Sequence, residues 1–467
     1  MDYDIFDDKF HDECGVFGIY NKDDWDTAEM TYFGLFGLQH RGQESTGIAV
    51  NDNGTIIYHK EQGLVSEVFD DVILRHLHGK AAIGHVRYSA TGDNLRENVQ
   101  PLILKYTKGH MALAHNGNIV NAGKIRSGLE ESGSIFQTNS DLEVIAALLS
   151  RERIKCHCIE DALVTVMKTI KGAYSLLLMT PHKLIAARDP LGMHPLCIGK
   201  KQDSYVFASE TVALDIIGAD FIREVRPGEI VVVNEGELSS IQTEAPKESK
   251  MCIFEFVYFA RPDSVIEGSS VYESRVEAGK LLAREHPVEA DLVIGIPDSG
   301  LAAAIGYSKE SGIPHGDGLM KNRYIGRTFI QPSQAMREQA VRLKLNPIKS
   351  QIEGKKIIII DDSIVRGTTS KRIVKMLKDA GAKEVHLRIS SPPVLYPCYF
   401  GIDTPHRKHL IANHYSVEEI ARIIGADSLG FLSIEGVKKT PTKAECGFCT
   451  ACFDGKYPID IEKEKTK

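Results

Sequence analysis

Two kinds of hydrophobic patterning divide the chain. In its first half the apolar stretches are short: 14–20, 48–50, 56–59, 174–180 and 206–209 read as strands. Asp52-Asn53-Gly54 between two of them is a hairpin signal. Residues 142–149 repeat at helical spacing behind Ser140-Asp141, a capping pair. This half predicts an antiparallel sandwich flanked by helices. Around 238–250 the sequence turns polar and carries a proline, as linkers do. From Cys252 onward, strand and helix patterns alternate. Residues 292–296 form an apolar run that ends in a small-residue loop. Ile357, Ile358, Ile359 and Ile360 are β-branched and apolar on both faces, as in the central strand of a parallel sheet. After them Ile373, Val374, Leu377 and Ala380 recur at helical intervals from Ser370, and Gly381 is a stop. The predicted architecture is a two-domain α/β chain: a segment 1–13, domains 14–240 and 251–438, and a tail 439–467.

Composition narrows the function classes. A length of 467 residues gives ample core for two or three domains. A formal net charge of −7 argues against a general nucleic-acid surface. No apolar run is long enough to span a bilayer, and the N-terminus lacks a basic region followed by an apolar one. Neither a membrane nor nucleic acid is an expected partner, and a cytoplasmic location is expected. Nine cysteines at this length suit a reducing compartment with a metal site or a reactive thiol. Cys446, Cys449 and Cys452 form C-x-x-C-x-x-C, for which spacing alone makes zinc at least as suitable as iron–sulfur. Cys156, His157 and Cys158 resemble ligands but lie in the other domain without a partner pair, and they read as structural.

The stretch 357–370, IIIIDDSIVRGTTS, carries the clearest chemistry. A strand runs into Asp361-Asp362, then into a small-residue loop and a helix, the place where open α/β sheets bind ligands. Backbone N–H groups at Gly367 to Thr369 and the helix start suit a phosphate. Two carboxylates would repel that phosphate unless they bind ribose hydroxyls or a shared Mg²⁺. Receivers and P-loop ATPases also place Asp-Asp after a strand. The latter need G-x-x-x-x-G-K-[ST], which is absent, and a receiver would put the pair near its start. Residue by residue, the stretch resembles the phosphoribosyl-pyrophosphate (PRPP) loop of type I phosphoribosyltransferases.

The first half carries five motifs in order: Cys14-Gly15 opening a strand, His40-Arg41-Gly42, His85-Val86-Arg87-Tyr88, His115-Asn116-Gly117 and Ser140-Asp141. Together they resemble the glutamine-hydrolysing domain of the N-terminal-nucleophile amidotransferases. That resemblance implies a Cys14 thiolate attacking the glutamine side-chain amide through a thioester. If Cys14 becomes the first residue, its α-amine, with a pKa of about 7.7–8.0, serves as the base. By the same resemblance Asn116 and Gly117 hold the oxyanion, Arg87 pairs with the substrate α-carboxylate, and Asp141 takes the α-ammonium. One departure stands at His194, where relatives often have arginine.

Nearly end to end, the chain resembles the amidophosphoribosyltransferase family, in the form with a leader peptide and a 4Fe–4S cluster. The implied fold is an N-terminal-nucleophile αββα sandwich followed by a type I phosphoribosyltransferase α/β domain with a mainly parallel sheet. The implied reaction channels ammonia from glutamine to PRPP, giving 5-phospho-β-D-ribosylamine, glutamate and diphosphate with consumption of water, the first step of de novo purine (IMP) synthesis. The resemblance places PRPP on Lys321, Arg323, Asp361, Asp362, Ser363, Arg366, Gly367, Thr368 and Thr369. It assigns one Mg²⁺ per subunit to Ser299, Asp361 and Asp362. It assigns one 4Fe–4S cluster per subunit to Cys252, Cys398, Cys449 and Cys452, leaving Cys446 spare. Residues 321–333 become a lid that shields PRPP and ammonia from water. Removal of 1–13, a homotetramer and feedback inhibition by purine nucleotides are further expectations. Glucosamine-6-phosphate synthase would lack the acidic-pair loop, and asparagine synthetase would need an S-G-G-x-D-S loop that is absent. A non-catalytic PRPP sensor would have no use for a glutaminase.

Overall fold

A computed structural model describes residues 14–22, 27–88, 95–243, 248–322, 345–404 and 407–461. The expected leader 1–13, Arg323 and all of the expected lid after Asn322 lie outside the described residues.

In the first half two antiparallel sheets lie face to face. One has seven strands in the order Asp220–Glu224, Cys197–Lys201, Ser204–Ala208, Cys14–Tyr20, Ala81–Arg87, Ser45–Asp52 and Thr55–Gln62. The other has six, in the order Glu237–Gln242, Glu229–Asn234, Lys183–Arg188, Gly172–Met179, Gly109–Ile119 and Leu102–Tyr106. Strand alternation makes the layers. Val16 joins Ala112, Leu177 and Phe207 between the sheets. Phe17 and Ile19 point the other way, onto Ala28 and Leu35 of the helix Thr27–Gly37. Beyond the second sheet, Met111 and Leu113 pack on Leu142 and Ile145 of the helix Asp141–Lys155 and on Leu163 of Ile159–Thr169. The result is the expected αββα order. Cys156 and Cys158 lie in the turn between those two helices. The hairpin at Asn53 and Gly54 also forms, with φ of 48° and 95°.

The second half is built on four parallel strands, Leu292–Gly295, Lys356–Asp361, Glu384–Ile389 and Ser428–Phe431, adjacent in that order. Ile358 and Ile360 enter one core with Ala278, Leu282, Ala303 and Tyr307, from the helices Val271–Glu285 and Leu301–Ser311. Ile357 and Ile359 enter another with Ile373, Val374 and Leu377, from the helix Thr368–Asp379. Burial on both faces explains the isoleucine run, each side chain contributing roughly 1.5–3 kcal/mol. The tail returns to the start of this half, where Phe448–Cys449 pairs in parallel with Met251–Cys252. Among the described residues no helix is long and apolar enough to cross a membrane.

Three boundaries move. Residues 238–242 belong to the edge strand Glu237–Gln242, so the first domain passes 240 and the linker is shorter. That strand is mostly exposed, and its polar residues imitate a linker. The helix after the acidic pair begins at Thr368, two residues before Ser370. Behind Cys252 the chain first makes a single π-helical turn, Glu255–Phe259, and regular alternation starts only with the helix Val271–Glu285.

Candidate active site

Cys14 opens its strand with its side chain buried, and its cross-strand neighbour is Arg87. Arg87 in turn pairs with Ser45 on its other side. The second sheet supplies the opposing wall. Asn116 and Gly117 lie within the strand Gly109–Ile119, opposite Ser175 and Tyr174. The Asn116 side chain is wholly buried, and among the described residues neither its oxygen nor its nitrogen has a hydrogen-bond partner. A buried amide left unsatisfied is costly and marks a place for a ligand. Gly117 has a φ of 140°, and a Cβ there would stand 2.1 Å from the Ala173 carbonyl oxygen, so only glycine fits. The His85 imidazole bridges the sheets, Nε2 donating to the His115 carbonyl over 3.1 Å. Asp141 is the first residue of its helix, and Ser140 is the cap, accepting from the Leu142 N–H. The Asp141 carboxylate accepts from the Ile119 N–H at 2.8 Å and lies 3.2 Å from His115 Nε2. Burial would raise its pKa, but His115 and these N–H groups outweigh burial and hold it below the ordinary carboxylate range.

The phosphoribosyl residues gather at the carboxyl ends of two adjacent parallel strands. Asp361 ends one strand, Asp362 follows it, and both are buried. Asp361 Oδ1 accepts from the Asp362 N–H at 3.0 Å, and the Ser363 hydroxyl donates to Asp362 Oδ2 at 2.6 Å. Arg366 and Gly367 continue the loop to Thr368 and Thr369 at the helix start, with Gly367 at a φ of 80°. Ser299 lies in the loop after the neighbouring strand. That loop closes tightly on the acidic one, since a Cβ at Gly300 would stand 2.2 Å from the Ile360 carbonyl oxygen. Lys321 ion-pairs with Asp298 of the same loop. Carboxylate and hydroxyl oxygens are a donor set that suits a hard cation such as Mg²⁺.

The tail cysteines form a third cluster. Cys252 and Cys449 are register partners on their short strands, and Cys452 follows on the next turn. The Leu395 and Tyr396 N–H groups donate to the Cys452 carbonyl, which draws in the loop carrying Cys398. Burial pushes the Cys252 and Cys452 thiols well up, and neighbouring thiols, Cys398 and Cys449 among them, push them further. Cys446 is raised to about 12, by burial and then by Glu267, and its charged neighbours are Glu267, Arg188 and Glu224. Among the described residues no three His, Cys, Asp or Glu side chains converge closely enough to hold a metal. The four thiols are therefore grouped without being closed around one centre.

Comparison with known proteins matches each half. Residues 85–215 match the glutamine amidotransferase domain family, and residues 277–390 match the phosphoribosyl transferase domain family. The amidophosphoribosyltransferase of Archaeoglobus fulgidus is 51% identical, the alignment spanning 97% of this chain and 99% of that one. The Bacillus subtilis enzyme of that name is 50% identical over 97% and 96%. The chain belongs to the amidophosphoribosyltransferase family. It is an enzyme joining a glutamine amidotransferase to a phosphoribosyltransferase, at the first step of purine biosynthesis. A solved glutamine PRPP amidotransferase from B. subtilis, complexed with ADP and GMP, matches with a TM-score of 0.90 at 50% identity over 96% of this chain and 98% of that one. A structure described as the allosteric regulatory enzyme of purine biosynthesis matches with a TM-score of 0.92 at 50% identity, over 97% and 98%.

Where the halves of this member of the amidophosphoribosyltransferase family meet lie buried polar residues with no assigned role among the motifs above. Arg41 is buried and donates through Nε to the Cys14 carbonyl at 3.1 Å. Its other nitrogens reach Glu210 at 2.5 Å and Glu255 at 2.7 Å. Burial would raise both carboxyls. His40 and Arg41 hold Glu210 well below its usual range, and Arg41 and His194 hold Glu255 down. His194, the departure noted above, is buried here, its Nε2 donating to the Phe400 carbonyl at 2.7 Å. On the far side Arg275 donates to the Phe256 and Ala260 carbonyls. Burial lowers its guanidinium to about 10, against the opposing charge of Asp362. A signal for Glu255 did exist: it is the lone carboxylate inside the apolar run 253–259. For Arg41, nothing in the sequence announces burial.

Proposed function

We propose that glutamine is hydrolysed at Cys14 and that the ammonia crosses to PRPP at the acidic-pair loop, yielding 5-phosphoribosylamine, glutamate and diphosphate. The observation that carries the first half is the unsatisfied buried amide of Asn116, whose Nδ2 is a donor awaiting an oxyanion. The α-amine exposed by removal of 1–13 takes the Cys14 thiol proton, the thiolate attacks the side-chain carbon of glutamine, and the amine returns that proton to the departing nitrogen. Asn116 and the Gly117 N–H hold the oxyanion, Arg87 the α-carboxylate and Asp141 the α-ammonium. Ammonia leaves, and water releases glutamate from the thioester. In the second half Gly367, Thr368 and Thr369 hold the 5-phosphate through N–H groups at the helix start. Asp361 and Asp362 hold the ribose hydroxyls, and Lys321, Arg323 and Arg366 offset the pyrophosphate charge. Ser299, Asp361 and Asp362 would hold Mg²⁺, which supplies charge stabilisation to the departing pyrophosphate.

Cys252, Cys398, Cys449 and Cys452 would hold the iron–sulfur cluster. The grouping of these thiols, with neighbouring thiols raising Cys252 and Cys452, supports a soft metal centre that would draw them together on loading, and Cys446, whose charged neighbours are Glu267 and Arg188, is the spare. Such a centre would tie the tail 439–461 to the start of the domain 251–438. A homotetramer and inhibition by purine nucleotides complete the reading. The ADP and GMP in the B. subtilis complex support the nucleotide part.

Product analysis tests the reaction: with Mg²⁺ and PRPP, either glutamine or ammonia should give 5-phosphoribosylamine and pyrophosphate. Pyrophosphate release with no amine formed from either source would refute it. Anaerobic purification should yield iron and sulfide, retained in Cys446→Ser and lost in Cys449→Ser. A colourless zinc protein would overturn the cluster assignment.

A further inference from the structure

Gln100 touches none of the groups assigned above to glutamine chemistry except through His115, yet its position is fixed with unusual thoroughness. It is buried, in the loop between the 3₁₀ turn Arg96–Asn98 and the strand Leu102–Tyr106. Lys60 Nζ donates to the carbonyls on either side of it, Val99 at 2.6 Å and Pro101 at 3.1 Å. Burial lowers that ammonium to about 8, and the side chain is nonetheless committed to these two carbonyls. The backbone at Gln100 lies so close to Gly47 that a Cβ there would stand 2.3 Å from the Gln100 carbonyl oxygen. Two residues earlier, Asn98 Oδ1 accepts from the Asn139 N–H at 3.2 Å, which joins this loop to the segment entering Asp141.

The side chain has a defined orientation. Gln100 Oε1 accepts from the His115 N–H at 2.9 Å, so the other end of the amide, Nε2, is the donor. That Nε2 lies 3.4 Å from His115 Nδ1. A donor facing Nδ1 requires a lone pair there, which leaves the imidazole proton on Nε2. His115 Nε2 is the atom that faces the Asp141 carboxylate, 3.2 Å from Oδ1 and 3.3 Å from Oδ2. The other contact on the His115 backbone, from His85 Nε2, goes to its carbonyl and leaves the ring free to follow Gln100.

We propose that Gln100 is a positioning residue for glutamine recognition: it fixes the His115 tautomer, and His115 in turn orients the Asp141 carboxylate toward the substrate α-ammonium. The proposal rests on the reading of Asp141 as the ammonium ligand. A neutral donor at Nε2 spends part of the carboxylate's hydrogen-bonding capacity without cancelling its charge, so the charge remains for the incoming cation. A proton moved to Nδ1 would leave an Nε2 lone pair against the carboxylate, and a second proton would place a competing cation there.

The test uses the full enzyme with two substrates, glutamine and its deamino analogue glutaramate, which keeps the amide and the carboxylate but lacks the ammonium. Gln100→Leu removes the donor at similar volume, and Gln100→Glu replaces it with an acceptor. Both variants should raise KM for glutamine about tenfold, the scale of one hydrogen bond to a charged group. For glutaramate kcat/KM should change less than about threefold, so the preference for glutamine falls about tenfold. A folding defect lowers the active fraction for both substrates alike and cancels in this ratio. An equal loss on both substrates would overturn the proposal and leave Gln100 a structural residue. Asp141→Asn, measured in parallel, separates the two levels. If it collapses the preference while the Gln100 variants do not, the positioning role fails alone. If it leaves the preference intact, the ammonium assignment fails and the proposal falls with it.

Discussion

The two halves hold their candidate groups on opposite parts of a strand. In the first, Cys14 and Arg87 are register partners, and Asn116 and Gly117 sit inside an eleven-residue strand, paired there with Ser175 and Tyr174. The hydrogen-bonded ladder itself sets their spacing. In the second, Ser299, Asp362 and Gly367 stand past the ends of their strands, in loops that converge over the carboxyl edge of the sheet. An oxyanion donor must be in place before charge develops, and a paired strand supplies that rigidity. A polyanion such as PRPP needs several backbone N–H groups and oxygen ligands converging from different elements, which loops at a sheet edge supply.

The contrast can be broken by mutation, starting where the effect is largest. Replacing both Asp361 and Asp362 with asparagine should lower synthesis by at least about 10³-fold with glutamine or ammonia, since the groups proposed to face ribose and metal lose their charge. Glutamine hydrolysis measured as glutamate release should persist. Equal loss of hydrolysis would show that the halves do not act separately. Next is the join between them. Arg41→Met removes the guanidinium from Glu210 and Glu255, leaving them His40, Ser264, the Arg261 N–H and His194 as partners, and should cost about 3–5 kcal/mol in denaturant unfolding. A loss below about 1 kcal/mol would mean that water or rearrangement relieves both.

A smaller effect separates two interface glutamates of opposite sign. Glu224 is pushed up to about 7, by burial first and by Glu267 second, against Arg188. Between its ordinary 4.5 and about 7 the folded chain keeps a proton that the unfolded chain has lost. Its contribution is therefore full below about 4.5 and disappears as the pH rises through about 7. Glu224→Gln should remove up to about 3 kcal/mol of that pH dependence. Glu210, held low, works the other way, its contribution being lost as the pH falls. An unchanged stability profile in Glu224→Gln would show that this carboxyl is hydrated in solution.

How much of this was legible in the sequence follows from the same contrast. The isoleucine run announced a strand buried on both faces because composition alone decides that. The strand-to-loop transition after it placed Asp361 and Asp362. The first-half motifs named Cys14, Arg87, Asn116 and Asp141, but the pattern did not show that Cys14 and Arg87 face one another across a ladder. Register depends on which strands pair, and the sequential order of strands does not give it. Residues 238–242 resemble linker because the exposed edge strand Glu237–Gln242 carries no hydrophobic face to announce it. Arg41 and His194 were hidden for another reason. Their side chains contact the second domain, Arg41 at Glu255 and His194 at Phe400, and no local periodicity records that.

The division of labour is tested most directly by removing one thiol. A leader-deleted Cys14→Ala enzyme should be assayed for 5-phosphoribosylamine with glutamine and with ammonia, at a pH high enough for unprotonated ammonia to accumulate. The account predicts at least about a 10³-fold loss of the glutamine-dependent rate, with the ammonia-dependent rate kept within a few fold. Retained glutamine-dependent synthesis would move the nucleophile elsewhere, and loss of both rates in a folded protein would show that Cys14 serves the ribose chemistry as well.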